Sequence, residues 1–345
     1  MRLTAVGYDY LQSEIIKKLT LELEIRGHTV AVFVGNGKLF PAQAGEVEYA
    51  VAGSDVVLIT ISNRTEEEVA AGEAAAKHGK PLCLFAAAFK GYQMPAFTGL
   101  RPDIRMLFRT TGDRMEDAHK LFPNAEILTV GDPFWEAWAS PRFSRDEVRK
   151  QFSMREGEIL LACAGDKYPG DNLLMIGCLL EAAEKLSGQG LKLKVVVGFH
   201  PGDPLDRRFY ESLFARTDIP VAMTGSETMP LGDAVVGADV LVNTVSTIGI
   251  QAAYQSVPSI NFMSIFTRPM LKRNQGGDDT WDPCDNLGIA KAIRGSPVEE
   301  LAAVISEYAR TGFSSFLAKR NEVFPEPFEQ GKCIRLMADA LEKLI

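Results

Sequence analysis

Short apolar runs alternate with amphipathic segments through the first half of the chain. The runs are rich in β-branched residues and have the length of strands, at positions 3–6, 29–34, 56–61, 82–86, 105–108 and 127–130. The segments between them carry apolar residues at helical spacing, at positions 12–26, 46–53, 65–78 and 114–121. This alternation of strand and helix predicts a parallel sheet with helices on both faces.

The pattern breaks at a charged segment, residues 145–158, and then begins again. Ser144 is placed to cap a short exposed helix there. Further strands are predicted at 159–164, 193–198, 221–224, 239–243 and 259–262, with helices at 172–186, 205–215, 298–308 and 332–345. We predict an α/β protein with domains over residues 1–140 and 141–325 and a final segment over 326–345. Both domains are expected to be Rossmann-like, with doubly wound parallel sheets that face each other across a cleft.

Composition narrows the class of protein. The 345 residues are 46% hydrophobic and 24% charged, which is ordinary for a globular chain. The formal net charge of −8 argues against broad electrostatic binding to nucleic acid. The cysteines are scattered without C-x-x-C spacing, and neither a signal-peptide pattern nor an apolar run of membrane-spanning length occurs. We therefore expect free thiols and a cytoplasmic protein without a membrane span.

Segment 238–262 carries the strongest candidate for a binding site. A buried strand leads into small hydroxyl residues, a helix and a second buried strand. Ser246 and Thr247 lie where the helix begins, Gly249 lies in its first turn, and Thr244 adds a further hydroxyl. A helix start offers backbone N–H groups and the positive end of the helix dipole to an anion such as phosphate. An ordinary N-cap explains serine and threonine at these positions equally well.

Two other predicted strand ends carry polar groups. His200 follows the strand at 193–198, where it could donate to a phosphate or sugar oxygen or titrate near neutral pH. Gly165 and Lys167 follow the strand at 159–164, and they offer close backbone approach and a positive charge. Ligands of open parallel sheets bind at the carboxyl ends of strands, which favours a binding role. The alternatives are a histidine that caps a carbonyl and a surface turn built from Gly, Asp and Pro.

The first domain offers a candidate general base. Asp9 follows the first strand and could reach into an interdomain cleft, although a turn or cap residue also fits this position. Less specific candidates for ligand-lining loops are 89–92, 109–112, 274–279 and 285–288. The sequence contains no dinucleotide fingerprint, P-loop, nucleophile elbow or metal-ligand spacing.

Several motifs give the chain a resemblance to a known group of proteins. They are RGH at 26–28, TVGDPF at 129–134, GFHP at 198–201, ADVLVNTVSTIGIQAA at 238–253 with VPSIN after it, and PEPFEQGK at 325–332. With these motifs the sequence resembles, over nearly its whole length, the two-Rossmann-domain GT-B glycosyltransferases and the UDP-N-acetylglucosamine 2-epimerases. The resemblance implies a final helix that crosses back to the first domain. It also implies that the second domain binds a nucleotide-activated donor, commonly UDP- or CDP-linked, and that the first binds an acceptor.

The resemblance implies roles for individual residues. Ser246, Thr247 and Gly249 would hold the donor diphosphate. His200 would lie near the donor's phosphate or sugar, and Asp9 would be the base of the acceptor domain.

Gln251 departs from the pattern of these relatives, because its position is often a glutamate that binds the ribose hydroxyls. An amide still forms hydrogen bonds, but the carboxylate acceptor is lost, so the identity of the donor stays open. The glycine-rich first-domain loops of some relatives are also missing. So are the epimerases' arginine-bearing first loop and the acidic helix start of their second domain, which favours a transferase over an epimerase.

We therefore predict a metal-independent, glycosyltransferase-like enzyme that moves a sugar from a nucleotide-diphosphate donor, UDP-linked by resemblance, to an acceptor hydroxyl. Asp9 would deprotonate the acceptor, while the helix start at Ser246, His200 and Lys167 would stabilise the leaving diphosphate. The donor is a substrate, and no separate cofactor is expected. A UDP-sugar epimerase or hydrolase, and a non-catalytic ligand-binding protein of the same fold, are the alternatives. The sequence does not identify the acceptor and leaves open whether the chain forms a homodimer.

Overall fold

The computed structural model describes residues 1–35, 44–61, 66–86, 95–110, 115–225, 229–244, 246–274, 288–311, 314–323 and 329–345. The chain divides into two compact units. Unit 1 comprises Met1–Glu136 together with Glu329–Ile345, and unit 2 comprises Ala137–Phe328.

Unit 1 is built on a six-stranded parallel sheet with the strand order β2-β1-β3-β4-β5-β6. Its strands are β1 (Arg2–Gly7), β2 (Thr29–Val34), β3 (Val56–Thr60), β4 (Leu82–Ala86), β5 (Ile104–Arg109) and β6 (Glu126–Thr129). The helices of this part of the chain are α1 (Tyr10–Ile25), α2 (Ala44–Gly53), α3 (Glu66–Lys77), a 3₁₀ helix (Pro95–Asp103), α4 (Met115–Leu121) and α5 (Trp135–Trp138).

The last helix of the chain, α14 (Lys332–Glu342), packs against α1 in unit 1. It carries an apolar stripe at helical spacing, of which Met337 and Leu341 are fully buried in one cluster with Leu3 of β1. Such a stripe has to be covered, and the face of α1 and β1 covers it. The return of the final helix, implied by the resemblance, is confirmed.

The RGH motif holds the far end of α14. Arg26 donates from Nη1 to Asp339 Oδ1 at 2.6 Å, and His28 Nε2 lies 2.7 Å from Glu342 Oε1. The hydrogen bond with His28 lowers the pKa of the Glu342 carboxyl. This motif therefore has a structural role in unit 1, away from the carboxyl ends of the strands.

Unit 2 contains a second six-stranded parallel sheet, with the order β12-β11-β10-β7-β8-β9. Its strands are β7 (Ile159–Ala164), β8 (Leu193–Gly198), β9 (Val221–Met223), β10 (Val240–Asn243), β11 (Ser259–Phe262) and β12 (Ala290–Ile293). Its helices are α6 (Arg145–Gln151), α7 (Pro169–Ser187), α8 (Arg207–Phe214), α9 (Leu231–Ala234), α10 (Ile248–Tyr254), α11 (Thr267–Asn274), α12 (Pro297–Thr311) and α13 (Ser314–Val323). The predicted Ser144 cap is present as a full capping box with Glu147.

The predicted fold class, with two Rossmann-like α/β parts each built on a parallel sheet, is confirmed. Sequence patterning missed β12, α11 and α13, and also the four-residue helices α5 and α9. The four residues of β12 include a lysine and do not form an apolar run. Helix α13 is polar along most of its length and is held by the burial of Phe316 and Arg320. Among the described residues, no helix has the length and apolar character needed to cross a membrane.

Candidate functional site

The carboxyl edge of the unit 2 sheet has a point at which neighbouring connections diverge. Strand β7 lies between β10 and β8, and Ala164 at its end is in register with Asn243 on one side and Gly198 on the other. The chain leaves β7 for β8 in one direction and later returns to place β10 in the other. Such a switch point is where open α/β sheets bind ligands, and three loops meet there.

Glycines allow these strand ends to approach closely. A Cβ atom on Gly198 would lie 2.5 Å from Leu231 Cβ and 2.8 Å from Thr224 Oγ1. A Cβ atom on Gly165 would lie 3.2 Å from the carbonyl oxygen of Gly198 and from Asn172 Oδ1. The Gly165 N–H donates to that same carbonyl at 2.8 Å. The sequence predicted that Gly165 would let a ligand approach the backbone closely. In the structure the close approach is between Gly165 and the end of the neighbouring strand β8.

Asn172, in the first turn of α7, fastens the loop after β7 to the loop after β8. Its Oδ1 accepts from the Asp166 N–H at 2.6 Å, and its Nδ2 donates to the Asp166 carbonyl and to Asp203 Oδ2, each at 2.7 Å. The Tyr210 hydroxyl donates to the same Asp203 oxygen at 2.6 Å, and burial raises the pKa of this phenol. The Asn172 side chain is fully buried. Asn172 was not predicted from the sequence. The signal for it was a polar residue in the first turn of a helix that follows a strand-end loop.

Thr244 joins the third loop to the same group of hydrogen bonds. Its hydroxyl donates to Asp166 Oδ2 at 3.2 Å, and the residue is fully buried. Asp166 Oδ1 accepts from the Lys167 N–H at 2.5 Å. Thr244 thus holds the loop after β10 against the loop after β7. Its hydroxyl is used for a hydrogen bond within the protein and is not presented at an open surface.

Lys167 and His200 lie side by side on the outer surface of these loops. His200 Nδ1 accepts from the Gly202 N–H at 2.9 Å, and a Cβ atom on Gly202 would lie 3.6 Å from Lys167 Cβ. Because Nδ1 accepts, the ring proton is on Nε2, which is a donor. The Lys167 ammonium lies 5.2 Å from the centre of the Tyr168 ring. Both predicted side chains are exposed on these neighbouring loops.

Ser246 and Thr247 are exposed before α10. Thr247 occupies the N-cap position but makes no side-chain cap hydrogen bond, and Ser246 Oγ is 3.4 Å from the Ile248 N–H. Helix capping was the alternative explanation for serine and threonine at these positions, and the cap hydrogen bonds here are weak or absent. Gly249 is buried in the first turn, and its N–H donates to the Ser246 carbonyl at 3.1 Å.

The side chain of Gln251 has a defined orientation. Its Nε2 donates to the Gly232 carbonyl at 2.7 Å, which leaves Oε1 as an acceptor. A glutamate at this position could not donate to Gly232 and would place a carboxylate against its carbonyl. The backbone of α9 thus gives a physical reason for an amide where the relatives often have an acid.

Asp9 lies in unit 1 at the carboxyl end of β1. It is the N-cap residue of α1, with extended φ and ψ of −70° and 158°, but its side chain makes no cap hydrogen bond. The Ser13 N–H donates to its carbonyl at 2.9 Å. Its role as a base stays a prediction.

Other predicted ligand-lining residues fall mostly outside the described residues: 89–92, 111–112, 275–279 and 285–287. Arg109 is described; it is buried and donates from Nε to Thr129 Oγ1 at 2.9 Å. Across the part of the chain that the structure describes, no three His, Cys, Asp or Glu side chains are grouped to hold a metal ion.

Comparisons with known proteins place the fold. No protein-family model matches the chain, and no curated protein matches it. Solved structures do match along the whole length. The UDP-GlcNAc 2-epimerase of Neisseria meningitidis, bound to UDP-GlcNAc, has a TM-score of 0.64 and 14% identity, covering 99% of this chain and 100% of that one. The UDP complex of S. aureus MnaA has a TM-score of 0.62 and 12% identity, covering 100% and 97%. A glycosyltransferase from Rickettsia africae ESF-5 has a TM-score of 0.61 and 11% identity, covering 99% and 98%.

These structures and this chain share one architecture. The chain has the two-domain fold common to GT-B glycosyltransferases and UDP-GlcNAc 2-epimerases, with full-length coverage of both kinds of structure. At 11–16% identity this likeness establishes the fold and leaves the activity to the site itself.

Proposed function

We propose that unit 2 binds a UDP-linked sugar at the carboxyl ends of β7, β8 and β10, and that the protein transfers this sugar to an acceptor hydroxyl. The observation that supports this most is the closeness of two exposed residues, Lys167 and His200, in the loops beside the switch point. Structures of the same fold carry UDP or UDP-GlcNAc, which supports the choice of donor.

The diphosphate would lie against the exposed face of these loops. Lys167 supplies charge, and His200 Nε2 donates a directed hydrogen bond. The exposed hydroxyls of Ser246 and Thr247, before α10, add further hydrogen-bond donors. The nearby Asp166 carboxylate offsets part of the lysine charge, so the hydrogen-bond donors carry much of the recognition. Gln251 Oε1 is oriented to accept from a ribose hydroxyl.

The transfer step follows from these roles. Asp9 would accept the proton of the acceptor hydroxyl, and the acceptor oxygen would form a bond to the anomeric carbon of the sugar. The bond from that carbon to the β-phosphate oxygen breaks, and its electron pair leaves on UDP. Donors that are already in place around the developing charge of the diphosphate stabilise the transition state.

An epimerase or hydrolase acting on the same donor is the second candidate. Structural neighbours bearing the name UDP-GlcNAc 2-epimerase from several organisms favour it. The two activities differ in a simple observation: an epimerase or hydrolase consumes UDP-GlcNAc without an acceptor, whereas a transferase requires one. A non-catalytic binding protein would retain UDP without turnover in either condition.

Calorimetry with UDP, CDP and GDP tests the proposed site. Lys167→Ala should weaken UDP binding about tenfold, the factor expected for one charge-assisted contact. Lys192→Ala is the matched control, because this exposed lysine precedes the opposite end of β8 and should leave affinity unchanged. If none of the nucleotides binds, or if both variants bind as the wild type does, the donor site is wrongly placed.

A further inference from the structure

The loop after β11 presents two large apolar side chains to solvent. Ile265 is 72% exposed and Phe266 is 56% exposed. Among the described residues, this is the one place where two consecutive large hydrophobic side chains are both exposed. Apolar surface in contact with water is unfavourable, so an exposed pair of this kind indicates a surface that contacts another molecule.

Buried hydrogen bonds hold this loop in place. Asp171, in the first turn of α7, is buried, and its carboxylate accepts from the hydroxyls of Ser264 and Thr267. The Ser264 hydroxyl oxygen also accepts from the backbone N–H groups of Phe266 and Thr267, at 3.0 and 2.9 Å. The loop therefore cannot fold its apolar side chains inward without breaking these hydrogen bonds. Ile265 and Phe266 are exposed on a backbone that is fixed.

The loop lies beside the proposed donor site. Strand β11 pairs with β10, so its carboxyl end reaches the same edge of the unit 2 sheet as the ends of β7, β8 and β10. A Cβ atom on Gly170 would lie 3.6 Å from Phe266 Cε2. Gly170 follows closely after Lys167, the residue proposed to contact the diphosphate. The Phe266 ring is thus next to the loop that would hold the charged part of the donor.

Gln251 gives the direction of the donor across this edge. Its amide donates to Gly232 of α9 at 2.7 Å, and the preceding residue, Leu231, lies against Gly198 at the end of β8. A ribose held by Gln251 would therefore lie at the β8 side of the site. With the diphosphate at the loop after β7, the sugar would extend in the other direction, toward Phe266.

We propose that Ile265 and Phe266 select the donor sugar, and that they pack against a sugar carrying a methyl group, either in an acetamido substituent or at a 6-deoxy carbon. This inference rests on the proposed function, because it concerns the sugar of the UDP-linked donor. The two side chains have no hydrogen-bonding groups, so they discriminate by apolar contact. Ligand sites combine a few polar groups with an apolar lining, and this loop supplies the lining beside Lys167 and His200.

Calorimetry on the full chain with UDP, UDP-glucose, UDP-N-acetylglucosamine and UDP-6-deoxyglucose tests the proposal. The wild type should bind at least one of the two methyl-bearing donors about fourfold more tightly than UDP-glucose, the factor expected for burying one methyl group. The donor that gains affinity shows whether the methyl group belongs to an acetamido substituent or to a 6-deoxy sugar. No gain for either donor would overturn the proposal.

Phe266→Ala separates a contact with the sugar from a contact with the nucleoside. This variant should bind UDP as the wild type does, and it should bind the preferred donor no better than UDP-glucose. Phe209→Ala is the matched control, because Phe209 is 55% exposed on α8 and its removal should leave the preference unchanged. If Phe266→Ala keeps the preference, or weakens the binding of UDP itself to the same extent, the proposal is wrong.

The affinity for UDP keeps this inference distinguishable from the proposed function. A wild-type protein that binds UDP without preferring a methyl-bearing sugar would retain the donor site and reject the role of Phe266. A protein that binds neither UDP nor any of the UDP-sugars would reject both.

Discussion

Replacing Asn172 with alanine removes the side chain that joins two loops of the candidate donor site. Three short hydrogen bonds disappear, two to the backbone of Asp166 and one to the Asp203 carboxylate. The site is fully buried, so the groups left behind do not simply return to bulk water. Both the stability of unit 2 and the affinity for UDP should therefore fall.

The expected loss of stability follows from these contacts. Each backbone hydrogen bond contributes about 1 kcal/mol, and the bond to a carboxylate contributes roughly 1.5–3 kcal/mol. The sum is about 4 kcal/mol, which water entering the polar cavity would reduce to about 3 kcal/mol. The freed Asp166 loop also carries Lys167, so UDP affinity should fall by about tenfold or more through lost preorganisation.

Urea unfolding followed by circular dichroism, together with UDP calorimetry, checks both parts. Gln189→Ala serves as the matched control, since this exposed amide lies just beyond the other end of α7 and should change neither quantity. Asn172→Asp keeps the shape but loses both donated bonds and places a second carboxylate beside Asp203. At pH 8 this variant should lose at least as much stability and UDP affinity as Asn172→Ala does. Part of both losses should be recovered as the pH falls. An Asn172→Ala protein with wild-type unfolding and UDP affinity would refute the idea that this network positions the site.

Two further predictions concern single side chains. Burial raises the pKa of Asp132 from 3.8 to about 6, so the folded state holds its proton more tightly and stability falls as pH rises from 4 to 6. Asp132→Asn should therefore raise the free energy of unfolding by up to about 3 kcal/mol at pH 8, reduced by any weakening of the hydrogen bond from the Phe134 N–H. Near pH 3 the same variant should leave the free energy of unfolding unchanged. Equal urea midpoints for the variant and the wild type at every pH would contradict this. Gln251→Glu loses the donor to Gly232 and should destabilise by about 1–2 kcal/mol at neutral pH. A Gln251→Met variant that is as stable as Gln251→Glu would show that the carboxylate adds no repulsion.

The strands and most helices could be predicted because their signals are local. Each predicted apolar run in the sequence is a strand, and Ser144 caps α6 as expected from its spacing to Glu147. Strand β12 and helix α13 are among the elements that escaped prediction, because neither has a strong pattern of its own. What stabilises α13 is the burial of Arg320, which donates to the carbonyls of Ala253 and Tyr254 at the end of α10. A contact of this kind, between residues far apart in sequence, is invisible to periodicity.

The candidate site was only partly predictable for the same reason. His200 and Lys167 were found because each follows a strand, but their adjacency depends on the pairing of β7 with β8. Asn172 was missed because its three partners come from two loops separated by about one helix and one strand of chain. Gln251 could be recognised as a departure from the relatives, whereas its cause, the Gly232 carbonyl, required the structure.

The polar groups at the unit 2 switch point bear on mechanism. Asn172, Asp166 and Thr244 form hydrogen bonds with one another, so the loops after β7 and β10 are held in place before any ligand arrives. A prearranged site gains affinity because binding does not have to order its loops. This arrangement suits the proposed diphosphate, which would be held by donors in fixed positions.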